Sequence, residues 1–114
     1  MTTAREAFEA KKLAAKYGVV GKVAARYRTA GYQVVVKTTD EAAPFHFTAT
    51  RKGEKLLVKV FHRVGQVPVE EVEKLAGAGE GKKVLVLYGA GPKLSGEVTN
   101  KAKEVGVSIR RVRA

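Results

Sequence analysis

The stretch Pro44 to Arg63, PFHFTATRKGEKLLVKVFHR, limits the folds open to this chain more than any other. It predicts a β-hairpin. Phe45-His46-Phe47-Thr48-Ala49-Thr50 meets Leu56-Leu57-Val58-Lys59-Val60-Phe61 across a polar turn, Arg51-Lys52-Gly53-Glu54-Lys55. Side chains of a strand alternate between faces. Leu56, Val58 and Val60 therefore share one face, and Leu57, Lys59, Phe61 and Arg63 share the other. A cation, Lys59, thus sits in the middle of an apolar strand.

The elements on either side predict an α/β domain. Residues 3–17 carry Ala4, Ala7, Phe8, Lys11, Ala14 and Tyr17 at helical spacing, and Gly18 is placed to stop that helix. A second helix runs from Val19 to Ala30, or the two form one helix broken near Gly18–Gly21. Tyr32 to Lys37 is a β-branched strand, and Thr38 to Ala43 a loop holding Asp40 and Glu41. After the hairpin, Gly65-Gln66-Val67 reads as a turn, and Pro68 suits a helix start. Glu70, Glu71 and Glu73 crowd the first turn of that helix, where the helix dipole favours acids, and their expected role is structural. Val69, Val72, Leu75 and Ala76 form its apolar stripe. Lys83 to Tyr88 is a strand apolar on both faces, as helices on both sides would require. A helix over about Ser95–Val105, a stop at Gly106 and a last strand, Val107–Val112, complete a mixed sheet flanked by helices.

Charge narrows the function. The 114 residues hold 22 Lys and Arg against 11 Asp and Glu, a net charge of +11. Residues 1–63 carry 13 bases and 5 acids, and a second cluster, Arg110-Arg111-Val112-Arg113, lies at the tail. So basic a small domain is expected to meet nucleic acid or an anionic surface. No run of 18 apolar residues predicts a membrane span, and MTTAREAFEAKK has no secretory core. With no Cys and no secretory core, the expected location is cytoplasmic. A composition rich in Lys, Val and Ala reads as thermophilic.

The usual motifs of chemistry are missing. The glycine-rich loop at residues 89–96 lacks the Gly-Lys-Ser/Thr of a P-loop, and Leu94 breaks a GxGxxG reading. His46 and His62 have no third metal ligand at a readable spacing. No Ser/His/Asp set emerges. The four tyrosines occur singly, so no stacking platform for single strands is expected.

Gly31-Tyr32-Gln33-Val34-Val35 followed by PFHFTATRKGEKLLVKVF resembles the PD-(D/E)xK restriction-endonuclease-like superfamily, closest in flavour to the archaeal Holliday-junction resolvases and Mrr-type nucleases. The resemblance covers roughly residues 19–114 and implies that fold, with residues 1–18 as an added N-terminal helix. It also implies a homodimer. The family's Asp falls on His46. Its Glu falls thirteen positions later on Lys59, and its Lys falls on Phe61. In that family the acids hold a divalent cation that activates water. His46 and Lys59 supply no acidic cage, so the resemblance implies a nuclease scaffold without catalysis, metal or other cofactor. Lys59 and His46 are instead expected to meet phosphate directly, unless Lys59 only snorkels to the surface at a sheet edge.

The expected function is backbone binding of DNA, duplex or branched, with RNA also open. Its contacts are expected from Lys22, Arg26, His46, Arg51, Lys52, Lys55, Lys59, Arg63, Arg110, Arg111 and Arg113. Two alternatives stand beside it. One is an inactive subunit of a nuclease or of an RNA–protein assembly. The other is a metal-dependent nuclease with relocated acids, Asp40 or Glu41.

Overall fold

The computed structural model describes residues 4–113. Residues 1–3, including the expected helix start at Thr3, and residue 114 lie outside them. Helix α1 (Ala4–Thr29) is followed by strands β1 (Gln33–Val36), β2 (Phe47–Arg51), β3 (Glu54–Phe61) and β4 (Gly65–Gln66). Helix α2 (Val69–Ala76), strands β5 (Lys82–Tyr88) and β6 (Pro92–Lys93), helix α3 (Gly96–Val105) and strand β7 (Val107–Val112) complete the chain. Five strands form one mixed sheet in the order β1-β2-β3-β5-β7. β1, β2 and β3 pair antiparallel, whereas β3-β5 and β5-β7 pair parallel. Each parallel step is bridged by a helix, as a parallel pair requires.

The alternation of β3 divides the core. Leu56, Val58 and Val60 join Val20, Val23 and Ala24 of α1 on one face, with Phe47, Ala49, Val84 and Val86. Leu57 and Phe61 join Val72 and Leu75 of α2 and Val98 and Ala102 of α3 on the other, with Leu85 and Leu87. Strand β5 serves both cores, which is why its run from Val84 to Leu87 is apolar throughout. Two helices cover one face, and α1 alone covers the other.

The hairpin turn is tighter than its polar composition predicts. Arg51 pairs with Glu54, leaving Lys52 and Gly53 as a two-residue loop. Both have positive φ, 50° and 81°, which is the type I′ geometry that suits a twisted hairpin. Arg51, Glu54 and Lys55 therefore belong to strands. Gly65-Gln66, expected as a turn, pairs in parallel with Pro92-Lys93 as a separate two-stranded sheet. A two-residue bridge has no periodicity to read in advance. Ser95 caps α3, its hydroxyl accepting from the Val98 N–H at 3.3 Å, and Gly106 ends that helix at φ 77°.

Helix α1 bends sharply at Gly18, whose φ of 61° and ψ of −133° are closed to ordinary residues. The elbow brings Gly21 hard against the preceding arm. A Cβ at residue 21 would collide with the Leu13 carbonyl oxygen. Backbone on both sides leaves nothing flexible to yield, so Gly21→Ala is expected to cost about 1–3 kcal/mol by overpacking. Thermal melts of the two proteins check this; equal midpoints would mean the elbow opens freely.

Candidate nucleic-acid interface

The two residues of greatest interest in the sequence lie inside the protein. Lys59 is 1% exposed and sits on the central strand, β3. Its Nζ donates to the carbonyl oxygens of Glu41 at 2.6 Å and Ala43 at 2.5 Å. Glu71 Oε2 lies 3.4 Å away. That oxygen is buried with no directed hydrogen bond, so it faces Lys59 as a charge partner. Burial pushes the Lys59 pKa down, and Glu71 opposes that shift. Lys59 therefore neither meets phosphate nor snorkels to an edge. Two donors serve the 38–43 loop and the charge faces α2, because a buried carboxylate needs a positive partner.

His46 is likewise spent on structure, at 1% exposure. The Val60 N–H donates to its Nδ1 at 3.0 Å, so the ring proton sits on Nε2 and donates to the Asp40 carbonyl at 2.9 Å. A direct phosphate contact through His46 is thus also excluded in this conformation. The neutral tautomer makes both bonds, and burial lowers the His46 pKa below 6.5, with nearby Lys59 adding to the effect. Above pH 6.5 the ring is neutral folded or unfolded. As pH falls through that value the unfolded ring protonates first, so the stability this site contributes is lost as pH drops through the depressed folded value. Titration of the His46 ring protons by NMR is expected to give a pKa under 6.5; a higher one would mean the ring is solvated.

The remaining members of that neighbourhood do not gather into an acidic cage. Asp40 folds back on its own loop, accepting from the Ala42 N–H at 2.9 Å. Glu41 reaches His62, 3.6 Å away at the surface. Among the described residues no three His, Cys, Asp or Glu side chains cluster closely enough to share a metal ion. Arg63 lies exposed past the end of β3, its guanidinium 5.1 Å from the Phe61 ring centre.

On the other face of the sheet, under α1, exposed bases line a cleft that runs along the strands and has one end at the hairpin. The cleft, of about 440 Å³, opens beside α1, where the β5 and β7 surface has no second helix over it. Arg26 of α1, Lys82 of β5 and Arg110 of β7 line it, with the Tyr27 and Tyr32 rings, Ser108 and, among the described residues, a single carboxylate, Glu54. Arg110 points here because β7 alternates: Ser108, Arg110 and Val112 share the face of Val84 and Val86. Burial raises the Tyr27 pKa and Arg110 works against that shift, so the phenol stays a donor at neutral pH. The hairpin tip adjoins the same end. Arg51 donates to the Ala30 carbonyl at 2.9 Å and to the Tyr32 hydroxyl at 3.3 Å, and its guanidinium lies 4.3 Å from the Tyr32 ring centre. Lys52 and Lys55 project from the tip, exposed.

The expected contacts therefore separate. Arg26 and Arg110 line the cleft, Arg51 adjoins it through Ala30 and Tyr32, Lys52 lies at the hairpin tip, Lys55 lies on the opposite face beside Gly81, and Lys22, exposed, lies one turn before Arg26 on α1. Arg63 belongs to the far end. Arg111 is committed to the carbonyls of Gly89 at 2.6 Å and Pro92 at 2.8 Å, where it braces the loop after β5. Arg113 is exposed beyond β7. Sequence reasoning missed Lys82, which reads as a strand start. Its signal is the parallel pairing that sets Lys82 beside Leu56 at the base of the hairpin.

No protein-family model matches the chain, and no curated protein matches it. Among solved structures the chain is similar to SfsA of Pyrococcus furiosus, determined in complex with Ca2+. The likeness has 20% sequence identity and a TM-score of 0.44, and covers 60% of this chain. It spans 42% of the SfsA chain, less than half that protein's length. None of the described helices is long and apolar enough to cross a membrane.

Proposed function

We propose that the protein binds nucleic acid through backbone phosphates without cutting it, with duplex or branched DNA as the favoured ligand. The observation that carries this reading is the basic cleft under α1, lined by Arg26, Lys82 and Arg110 and adjoined at the hairpin by Arg51. A surface of clustered cations gains affinity from released counterions whatever the base sequence. The absence of catalysis is supported by the replacements at the resemblance's acid positions. His46 and Lys59 form neutral and cationic braces there, and Asp40 and Glu41 make no shared ligand set. The restriction-endonuclease-like ancestry and the homodimer belong to the same proposal.

One panel tests it: duplex, four-way junction, single strand and RNA, with and without magnesium, scored for binding and for cutting. Binding of duplex or junction with no cleavage supports the proposal. Magnesium-dependent cleavage abolished by Asp40→Asn and Glu41→Gln would replace it with the relocated-acid nuclease. Absence of binding to every member would favour the subunit reading.

A further inference from the structure

The cleft beside α1 is more than a patch of surface charge. Its floor is apolar, formed by Val23, Leu56, Val84 and Val112, and its walls carry the Tyr27 and Ser108 hydroxyls. Among the described residues three cations line it against one acid, Glu54, and that carboxylate accepts from the Tyr32 hydroxyl at 3.5 Å. Cations that share a cleft favour an anion among them. The volume, about 440 Å³, falls within the range of small-ligand sites. Flat surface binding of a phosphate backbone does not need such a floor.

We infer that this cleft receives one unpaired nucleotide, its phosphate on the lining cations Arg26 and Arg110 and its ring on the apolar floor. The inference rests on the proposed nucleic-acid function and assigns a place within it. A duplex has its bases stacked, so only a strand end, a junction arm or a displaced base can enter. Guanidinium groups suit the phosphate because they offer paired donors in a plane. Tyr27 and Ser108 are placed to bond the sugar or the base edge. The Tyr32 ring is not a stacking surface, since the Arg51 guanidinium already covers it.

The test is a set of NMR titrations of the full chain at low salt with AMP, adenosine and inorganic phosphate. AMP is expected to saturate and to shift signals of Arg26, Tyr27, Ser108 and Arg110, at least tenfold tighter than adenosine or phosphate alone. The Arg26→Gln/Arg110→Gln variant, checked for an unchanged amide spectrum, is expected to lose tenfold or more of that affinity. Tyr27→Phe provides a second variant without a charge change and is expected to weaken AMP more than phosphate. AMP shifts outside the cleft, equal affinity for AMP and phosphate, or undiminished AMP binding by the double variant would overturn the inference. Duplex binding measured on the same samples separates the two ideas. Duplex bound with AMP ignored removes the nucleotide site and leaves the proposed function standing; AMP bound in the cleft with duplex and four-way junction both ignored keeps the site and removes that function.

Discussion

Lys59→Met is expected to lower the melting temperature by roughly 10–20 °C, the largest effect of any single side chain considered. Methionine fills nearly the same space but offers no donors. The carbonyls of Glu41 and Ala43 then lose their 2.6 and 2.5 Å bonds, and Glu71 is left as a buried carboxylate without its cation. Removing one partner of a buried pair costs about 3–5 kcal/mol, more than the pair itself contributes, because the survivor's desolvation goes uncompensated. Adding Glu71→Leu is therefore expected to recover part of the loss, and the double-mutant cycle measures the coupling. Hydrogen exchange should also quicken in the 38–43 loop, which Lys59 and His46 tie to the sheet. A Lys59→Met protein that melts like the parent would mean the ammonium reaches water.

The second large effect separates binding from stability. Lys52 occupies a left-handed conformation at φ 50°, which costs an ordinary residue roughly 1–2 kcal/mol and Asn less. Asn-Gly is also the preferred type I′ pair. Lys52→Asn should therefore raise the melting temperature by roughly a few degrees while removing a cation. Combined with Lys55→Gln it removes two exposed charges from the hairpin tip. Each lost phosphate contact takes about 0.9 from the slope of log affinity against log salt. At about 50 mM salt that amounts to a loss on the order of 10²-fold for the pair. Melting curves and duplex titrations of the same samples should move in opposite directions. A more stable variant that still binds duplex as the parent does would remove the tip from the interface.

What the sequence revealed, and what it hid, follows from how local each interaction is. The hairpin, its two faces and the doubly covered β5 were readable because alternation along a strand is a local pattern. The fate of Lys59 was not, because its acceptors are loop carbonyls sixteen and eighteen residues away. One clue was present: Glu71 shares the buried stripe of α2 with Val72 and Leu75, an acid on an inward face that calls for a cation. The elbow was half visible, in that glycines marked the break but not the close approach of Gly21 to Leu13. The cleft drew Arg26, Lys82 and Arg110 from three elements far apart in sequence. Only the order β3-β5-β7 and the single helix on that face put them together. The charge total pointed to a polyanion, and the topology decided which bases share a cleft.

The central claim is that a polyanion is gripped by the cations of the cleft under α1 and of the hairpin that adjoins it. The most direct measurement is duplex affinity as a function of salt for the unaltered protein. About six phosphate contacts predict a slope near −5 and a loss on the order of 10³-fold between about 50 and 200 mM salt. A slope near zero, with affinity unchanged across that range, would contradict it.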